Sequence, residues 1–198
     1  MNIVVVNNYK DPPQREKAVQ NIQKCTGHQT KTIDFQDPDL QEKVSDLDPD
    51  LVVLTGSSAL LSKPQTMELF QPEMALVRES KFPVLGICYG HQIIGSAFGS
   101  SMRDLGQMVR LYDRVTVVKK HPLFDGLPAN LLVAESHRQE LTGVPDEFVH
   151  LAKSTTSKVE AMAHLSRPIY GVQFHPERSD DQHPHGRILL QNLLKLTT

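Results

Sequence analysis

The stretch Pro83–Ala97, P-V-L-G-I-C-Y-G-H-Q-I-I-G-S-A, constrains this chain more than any other. A short apolar run, Pro83-Val84-Leu85, enters Gly86-Ile87-Cys88-Tyr89-Gly90, and an amphipathic segment follows. The pattern predicts a buried strand, a tight turn and the start of a helix, with Cys88 at the apex. Gly86 and Gly90 let the chain turn sharply without a Cβ clash. The geometry is that of a nucleophile elbow, with sulfur where G-x-S-x-G has oxygen. An elbow holds its side chain clear of the sheet, beside the first amides of a helix. Those amides stabilise a thiolate and, later, an oxyanion.

The residues before the elbow alternate between strand-like and helix-like runs. Ile3–Val6 and Leu51–Leu54 are short, buried β-branched or apolar strands, and Thr30–Phe35 is a weaker one. Helical patterns run over Pro13–Lys24, from Asp37 to before Asp48-Pro49, and over Met67–Ser80. This order predicts an α/β fold, with a mostly parallel central sheet and helices on both faces. In such sheets ligands bind beyond the carboxyl ends of the strands, where both Cys88 and the turn Thr55-Gly56-Ser57-Ser58 lie. After Phe98-Gly99 the character becomes β-rich. Strands are expected over Met108–Val118, Leu131–Ala134, Val159–Ala163 and Ile169–Phe174, and Gly186–Leu196 is a closing helix.

Length and charge narrow the functional classes. The 198 residues suit one domain spanning 1–198. With 21 basic and 23 acidic residues, the chain has no basic excess to suggest nucleic acid. No apolar run approaches the ~20 residues of a membrane helix, and Met1–Val6 reads as a first strand rather than a signal peptide. Cys25 and Cys88 give neither a disulfide framework nor a metal spacing, so a cytoplasmic setting is expected. Cys25 reads as core. The ligand types Asp180, Asp181, His183 and His185 lie in a turn-rich run without a second ligand group, so no metal is expected. Arg103, Arg110 and Arg114 read as a solvated face, and Phe124 and Leu127 as packing.

A second signal is Tyr170-Gly171-Val172-Gln173-Phe174-His175-Pro176-Glu177. A cysteine nucleophile requires a base, and the base benefits from a carboxylate that sets its tautomer and stabilises imidazolium. His175 and Glu177, just past a strand end, suit those roles.

Together the two stretches resemble the class I, or triad, glutamine amidotransferases. The family's G-x-C-x-G-x-Q elbow is matched by Gly86, Cys88, Gly90 and Gln92, and its H-P-E motif by His175, Pro176 and Glu177. The resemblance implies a flavodoxin-like amidotransferase fold with a smaller β-rich portion in the second half. It implies that Cys88 attacks the carboxamide of L-glutamine or another γ-glutamyl amide, releasing ammonia and leaving a γ-glutamyl thioester that water hydrolyses. His175 would shuttle the proton, Glu177 would orient it, and the Tyr89 amide would be one oxyanion donor. The family's second donor comes from a loop written G-G-P. Here that loop is Gly56-Ser57-Ser58, so Ser57 would have to supply the amide, at a cost if the position needs φ > 0. Gln92 is expected in the substrate pocket or as elbow support, Gly56 as a substrate contact, Ser136 and His137 as substrate contacts or an ordinary strand end, and His91 as helix surface or packing.

Within the family, G-I-C-Y-G, Ser136-His137 and the H-P-E strand are similar to glutaminase subunits of GMP synthase. The Thr55-Gly56-Ser57 turn and Gly90-His91-Gln92 are similar to free-standing homologues that include γ-glutamyl peptidases. The chain contains no P-loop or ATP-pyrophosphatase segment, so the amidotransferase reading requires a separate ATP-dependent synthetase chain. No organic cofactor is implied. The alternatives are a free-standing γ-glutamyl hydrolase and a non-catalytic partner-binding homologue.

Overall fold

The computed structural model describes residues 1–197. In chain order the strands are β1 (Ile3–Asn7), β2 (Thr30–Asp34), β3 (Leu51–Leu54), β4 (Val84–Ile87) and β5 (Met102–Val117), followed by β6 (Asn130–Leu141), β7 (Phe148–Lys153), β8 (Ala161–His164) and β9 (Ile169–Val172). The helices are α1 (Pro12–Thr26), α2 (Leu40–Asp46), α3 (Pro64–Leu69), α4 (Gln71–Glu79), α5 (Tyr89–Ala97) and α6 (His185–Leu196). One sheet in the order β2-β1-β3-β4-β9-β8-β7-β5-β6 runs through the molecule. Its first five members are parallel and the remainder antiparallel, so the β-rich half continues the same sheet.

Both faces of the parallel part are covered, which is why β3, β4 and all but the last residue of β1 are apolar, whereas the edge strand β2 is mostly polar. Ile3, Val5, Leu51 and Val53 pack with Ile22 and Cys25 of α1 and with Leu189, Leu190 and Leu193 of α6. On the other face Val4, Val6, Val52 and Leu54 meet Leu40 and Val44 of α2, Met74 and Val77 of α4, and Ile93 of α5. Burial on this scale is the main stabilising contribution, at roughly 25 cal/mol per Å² of apolar surface removed from water. Asp11 caps α1 by accepting from Gln14 N, and Gly27 at φ 75° ends it in the left-handed region.

Several elements differ from the sequence expectation for local reasons. The helix expected over Met67–Ser80 divides at Phe70, because Pro72 in the first turn of α4 has no N–H to continue α3. The helix expected from Asp37 begins at Leu40, since Asp37 Oδ1 instead accepts from Asp39 N in a turn. β5 begins at Met102 rather than Met108. Gly106 at φ 76° accompanies a register shift between Asp104 and Val109 against β6, and this bulge interrupts the alternation. β6 extends past Ala134 to Leu141, which places Ser136 and His137 within a strand rather than at its end. β7 is an additional strand that no sequence pattern announced. Among the described residues no helix is long and apolar enough to cross a membrane.

The register sets up the site. β3, β4 and β9 are adjacent, with Leu54 opposite Gly86 and Ile87 opposite Val172. Their carboxyl ends, with that of β1, therefore open on one rim.

Candidate active site

Cys88 leaves β4 with φ 51° and ψ −98° and forms the N-cap of α5. A non-glycine residue there costs of order 1–3 kcal/mol and persists only where its surroundings enforce it. The Cys88 N–H donates to Val172 O at 2.8 Å, and the Gly90 N–H to Thr55 O at 3.2 Å. A Cβ on Gly86 would lie 2.5 Å from Gly90 C and O, and one on Gly90 would lie 2.5 Å from Leu54 O. Glycine is thus required on both sides of the sulfur by backbone contact. Beneath the turn, Tyr89 meets Phe70 edge-on, and Phe70 stacks on Phe35.

The chain leaving β9 carries the candidate base, His175. His175 Nδ1–H donates to Glu177 Oε1 at 2.7 Å, and both side chains are buried. Burial alone would depress His175, but the charges of Glu177 and Cys88 overcome it and raise the imidazole to about 9. Burial likewise opposes ionisation of Glu177, yet His175 and Arg178 hold its carboxyl below the usual range. His175 Nε2 makes no hydrogen bond among the described residues. The Cys88 side chain is the ring's other close polar neighbour and, with Glu177, raises it. The Cys88 sulfur lies 3.5 Å from Ser136 O, and Gln173 Nε2 donates to it at 3.6 Å.

The loop after β3 answers the question that its Gly56-Ser57-Ser58 sequence raises. Ser57 is not among the residues with positive φ, so serine carries no left-handed strain there. Its hydroxyl donates to Asn8 O and accepts from Ala59 N, while its N–H donates no hydrogen bond among the described residues. The Tyr89 N–H is equally free. Gly56 lies under the imidazole, where a Cβ would come within 2.6 Å of the Tyr9 hydroxyl and 3.0 Å of His175 Cε1.

Ser57, Cys88, Tyr89, Gln92, Ser136 and His137 line one small cavity of about 30 Å³. The structure therefore brings these sequence-predicted residues around Cys88. Gln92 is held internally: its Nε2 donates to Gln139 O at 2.8 Å and to Gln173 Oε1 at 3.1 Å, so it acts on the thiol through Gln173. His137 is buried against Glu135, 3.0 Å away. Burial raises the Glu135 carboxyl to about 8 and, with the Glu135 charge, pushes Glu160 well up. His91 is wholly buried against β9, and a Cβ on Gly171 would lie 2.5 Å from its Nδ1. Burial pushes its ring down to about 3, which makes it a neutral packing residue.

A second cavity, of about 270 Å³, opens beside Glu177 and shares Ser57 and Ser136 with the first. Tyr9, Lys17, Arg110 and Arg178 line it, so its wall is basic. Arg103 instead pairs with Glu140. Asp180 and His183 are bonded to each other at 2.9 Å, with Tyr112 stacked on the imidazole. Cys25 donates to Glu177 O at 3.4 Å, and burial pushes its thiol up.

Sequence reasoning missed Asn8, Tyr9, Glu73 and Gln173. Asn8 and Tyr9 follow a strand at its carboxyl end, and Gln173 precedes the H-P-E motif, so position was an available signal for these three. Glu73 gave none, because an acid in a first helical turn ordinarily faces solvent.

The family model for class-I glutamine amidotransferases matches residues 4–196. The chain belongs to that family. This class-I amidotransferase is 33% identical over 199 residues to a glutamine-hydrolyzing GMP synthase subunit of Methanococcoides burtonii, covering 99% of this chain and 96% of the relative. It is 34% identical over 178 residues to the Archaeoglobus fulgidus protein of the same name, covering 89% of each. Among solved structures, a protein from Thermoplasma acidophilum assigned to the same GMP synthase component superposes with a TM-score of 0.82 at 29% identity, covering 100% of this chain and 94% of that one. A glutamine amidotransferase from Thermotoga maritima shares the fold, with a TM-score of 0.77 at 18% identity over 99% and 97% of the two chains.

Proposed function

We propose that the chain acts as one domain that hydrolyses the side-chain amide of L-glutamine and passes the ammonia to a separate ATP-dependent synthetase chain of the GMP synthase kind. The observation that carries this reading is the elbow thiol facing a buried His175–Glu177 pair, with the Tyr89 and Ser57 amides unspent. The names of the relatives support the choice of amide and partner. Two free cysteines suit a reducing cytoplasm.

The chemistry follows from the geometry. The Cys88 thiolate attacks the carboxamide carbon, and the oxyanion is held by the N–H groups of Tyr89 and Ser57. Protonated His175 gives its Nε2 proton to the departing nitrogen, so ammonia leaves and a γ-glutamyl thioester remains. Neutral His175 then takes a proton from water, which attacks the thioester and releases glutamate with Cys88 restored. Glu177 fixes the imidazole tautomer and stabilises its charged form. None of these steps calls on a metal or an organic cofactor.

A second reading is favoured by the 270 Å³ basic cavity on the Glu177–Arg178 side, which has room for a leaving group larger than ammonia. It gives a free-standing γ-glutamyl hydrolase that acts on γ-glutamyl amino acids. The purified chain is assayed on glutamine and on γ-glutamylglycine, with and without a synthetase chain. The amidotransferase reading expects glutamine to be preferred and the partner to stimulate its hydrolysis. Preference for the dipeptide, unaffected by the partner, would support the hydrolase. A glutamine-mimicking electrophile should add one mass label at Cys88, and Cys88→Ala should abolish ammonia release. No label and no release from the wild type would leave the non-catalytic homologue.

A further inference from the structure

The loop carrying the Ser57 amide is held from below by a buried polar chain that the proposed mechanism does not use. Glu73, in the first turn of α4, is 0% exposed. Its Oε1 accepts from Asn8 Nδ2 at 3.0 Å, and the same nitrogen donates to Thr55 O at 3.0 Å. The Asn8 N–H donates to Thr55 Oγ1 at 2.9 Å, and Asn8 O accepts from the Ser57 hydroxyl at 2.9 Å. Both ends of the Thr55-Gly56-Ser57 segment are thus tied to Asn8, and Glu73 anchors the Asn8 side chain.

Three buried oxygens around this chain have no hydrogen-bond partner among the described residues: Glu73 Oε2, Asn8 Oδ1 and the Tyr89 hydroxyl. An ionised Glu73 would leave Oε2 and Asn8 Oδ1 as bare acceptors, at a desolvation cost neither repays. A proton on Oε2 gives the acid a donor to match the amide's acceptor. The polar groups bearing on Glu73 are Asn8 from the end of β1 and Tyr89 from α5, neither of them cationic. Burial correspondingly raises the Glu73 carboxyl to about 8.

We propose that Glu73 is a positioning residue for the oxyanion loop: it fixes the Asn8 side chain, and Asn8 fixes the backbone on which Ser57 presents its amide. The inference rests on the reading of Ser57 as an oxyanion donor. It makes α4, remote from the substrate, a determinant of rate.

Three variants test it: Glu73→Gln, Glu73→Leu and Asn8→Asp. Gln is neutral and can both accept from and donate to Asn8, so Glu73→Gln should keep kcat within about threefold of wild type. Leu cannot hold Asn8, so Glu73→Leu should lower kcat by roughly 10²-fold, the scale of a lost oxyanion donor, with KM little changed. Asn8→Asp removes the donor shared by Glu73 and Thr55 and should reproduce that loss if Glu73→Leu does not fold. Amide hydrogen exchange at Asn8, whose buried N–H is bonded to Thr55 Oγ1, reads the loop without turnover, and should be at least about tenfold faster in Glu73→Leu and unchanged in Glu73→Gln. Wild-type kcat in a folded Glu73→Leu or Asn8→Asp protein, a loss in Glu73→Gln as large as in Glu73→Leu, or equal exchange at Asn8 in wild type and Glu73→Leu would overturn the proposal. Failure of the wild type to release ammonia would overturn the glutaminase reading instead, and the exchange measurement would still decide whether Glu73 anchors the loop.

Discussion

Oε1 of Glu177 lies 2.7 Å from Nδ1 of His175, and the two side chains are 4% and 1% exposed. In so dry a setting, burial and the carboxylate pull the imidazole in opposite directions, and the carboxylate, with the Cys88 charge, wins. Replacing Glu177 by Gln removes the largest of the raising influences. The His175 pKa is then expected to drop from about 9 towards or below its ordinary 6.5, as followed by NMR titration of the ring. The rate of ammonia release should fall by roughly 10²–10⁴-fold, by analogy with other orienting carboxylates. An unmoved His175 titration would contradict this account of the pair.

Ser57 offers a test of the loop that departs from the family pattern. Its backbone is outside the left-handed region, so glycine relieves no strain there, and Ser57→Gly removes the hydroxyl that ties the loop to Asn8 O; kcat should fall, by roughly tenfold. Ser57→Pro deletes the N–H and should cost roughly 10²–10³-fold in kcat, with Cys88 still alkylated by iodoacetamide. A large gain in rate from Ser57→Gly would mean that the serine does impose strain.

Two glycines near the nucleophile should respond differently to alanine. At Gly90 the added Cβ meets backbone, Leu54 O at 2.5 Å, and a loss of about 3 kcal/mol in urea unfolding is expected. At Gly56 the closest atom is the movable Tyr9 hydroxyl at 2.6 Å, followed by His175 Cε1 at 3.0 Å. Gly56→Ala should therefore lose less than about 1 kcal/mol in stability but displace the imidazole and lower kcat by about tenfold.

The buried acids predict how stability depends on pH. Glu73 and Glu135 keep their protons in the folded chain up to about 8, whereas the unfolded chain releases them near 4.5. Their contribution is fully present below 4.5 and is lost as the pH rises to about 8, by up to about 1.4 kcal/mol per pH unit for each group. Glu177 works in the opposite sense, because its carboxyl is depressed and its contribution is lost in acid. Urea unfolding between pH 5 and about 8 should show stability declining as the pH rises, and Glu73→Gln should flatten the decline. The same slope in the variant would mean that Glu73 is ionised in the folded protein.

The parallel half of the fold was readable because β1, β3 and β4 are buried on both faces and so appear as unbroken apolar runs. The elbow and the H-P-E strand were readable for a different reason: each packs its constraint into a few adjacent residues. β5 was only half visible, since exposed residues and the Gly106 bulge erase its period. The partner of Gln92 was hidden, because Gln173 follows a strand distant in sequence. Glu73 was hidden more deeply. Its type and position suggest solvent, and only the packing of α4 against β1 and α5 makes it an interior acid.

The backbone at Cys88, φ 51° and ψ −98°, has an evolutionary corollary. Glycine would adopt that conformation with less strain, so the fold considered alone is better served by a residue with no sulfur. A library screened only for heat resistance is thus expected to enrich Cys88→Gly and lose its chemistry. Any campaign to harden this scaffold has to select for turnover alongside melting temperature, because at this position the two objectives oppose each other.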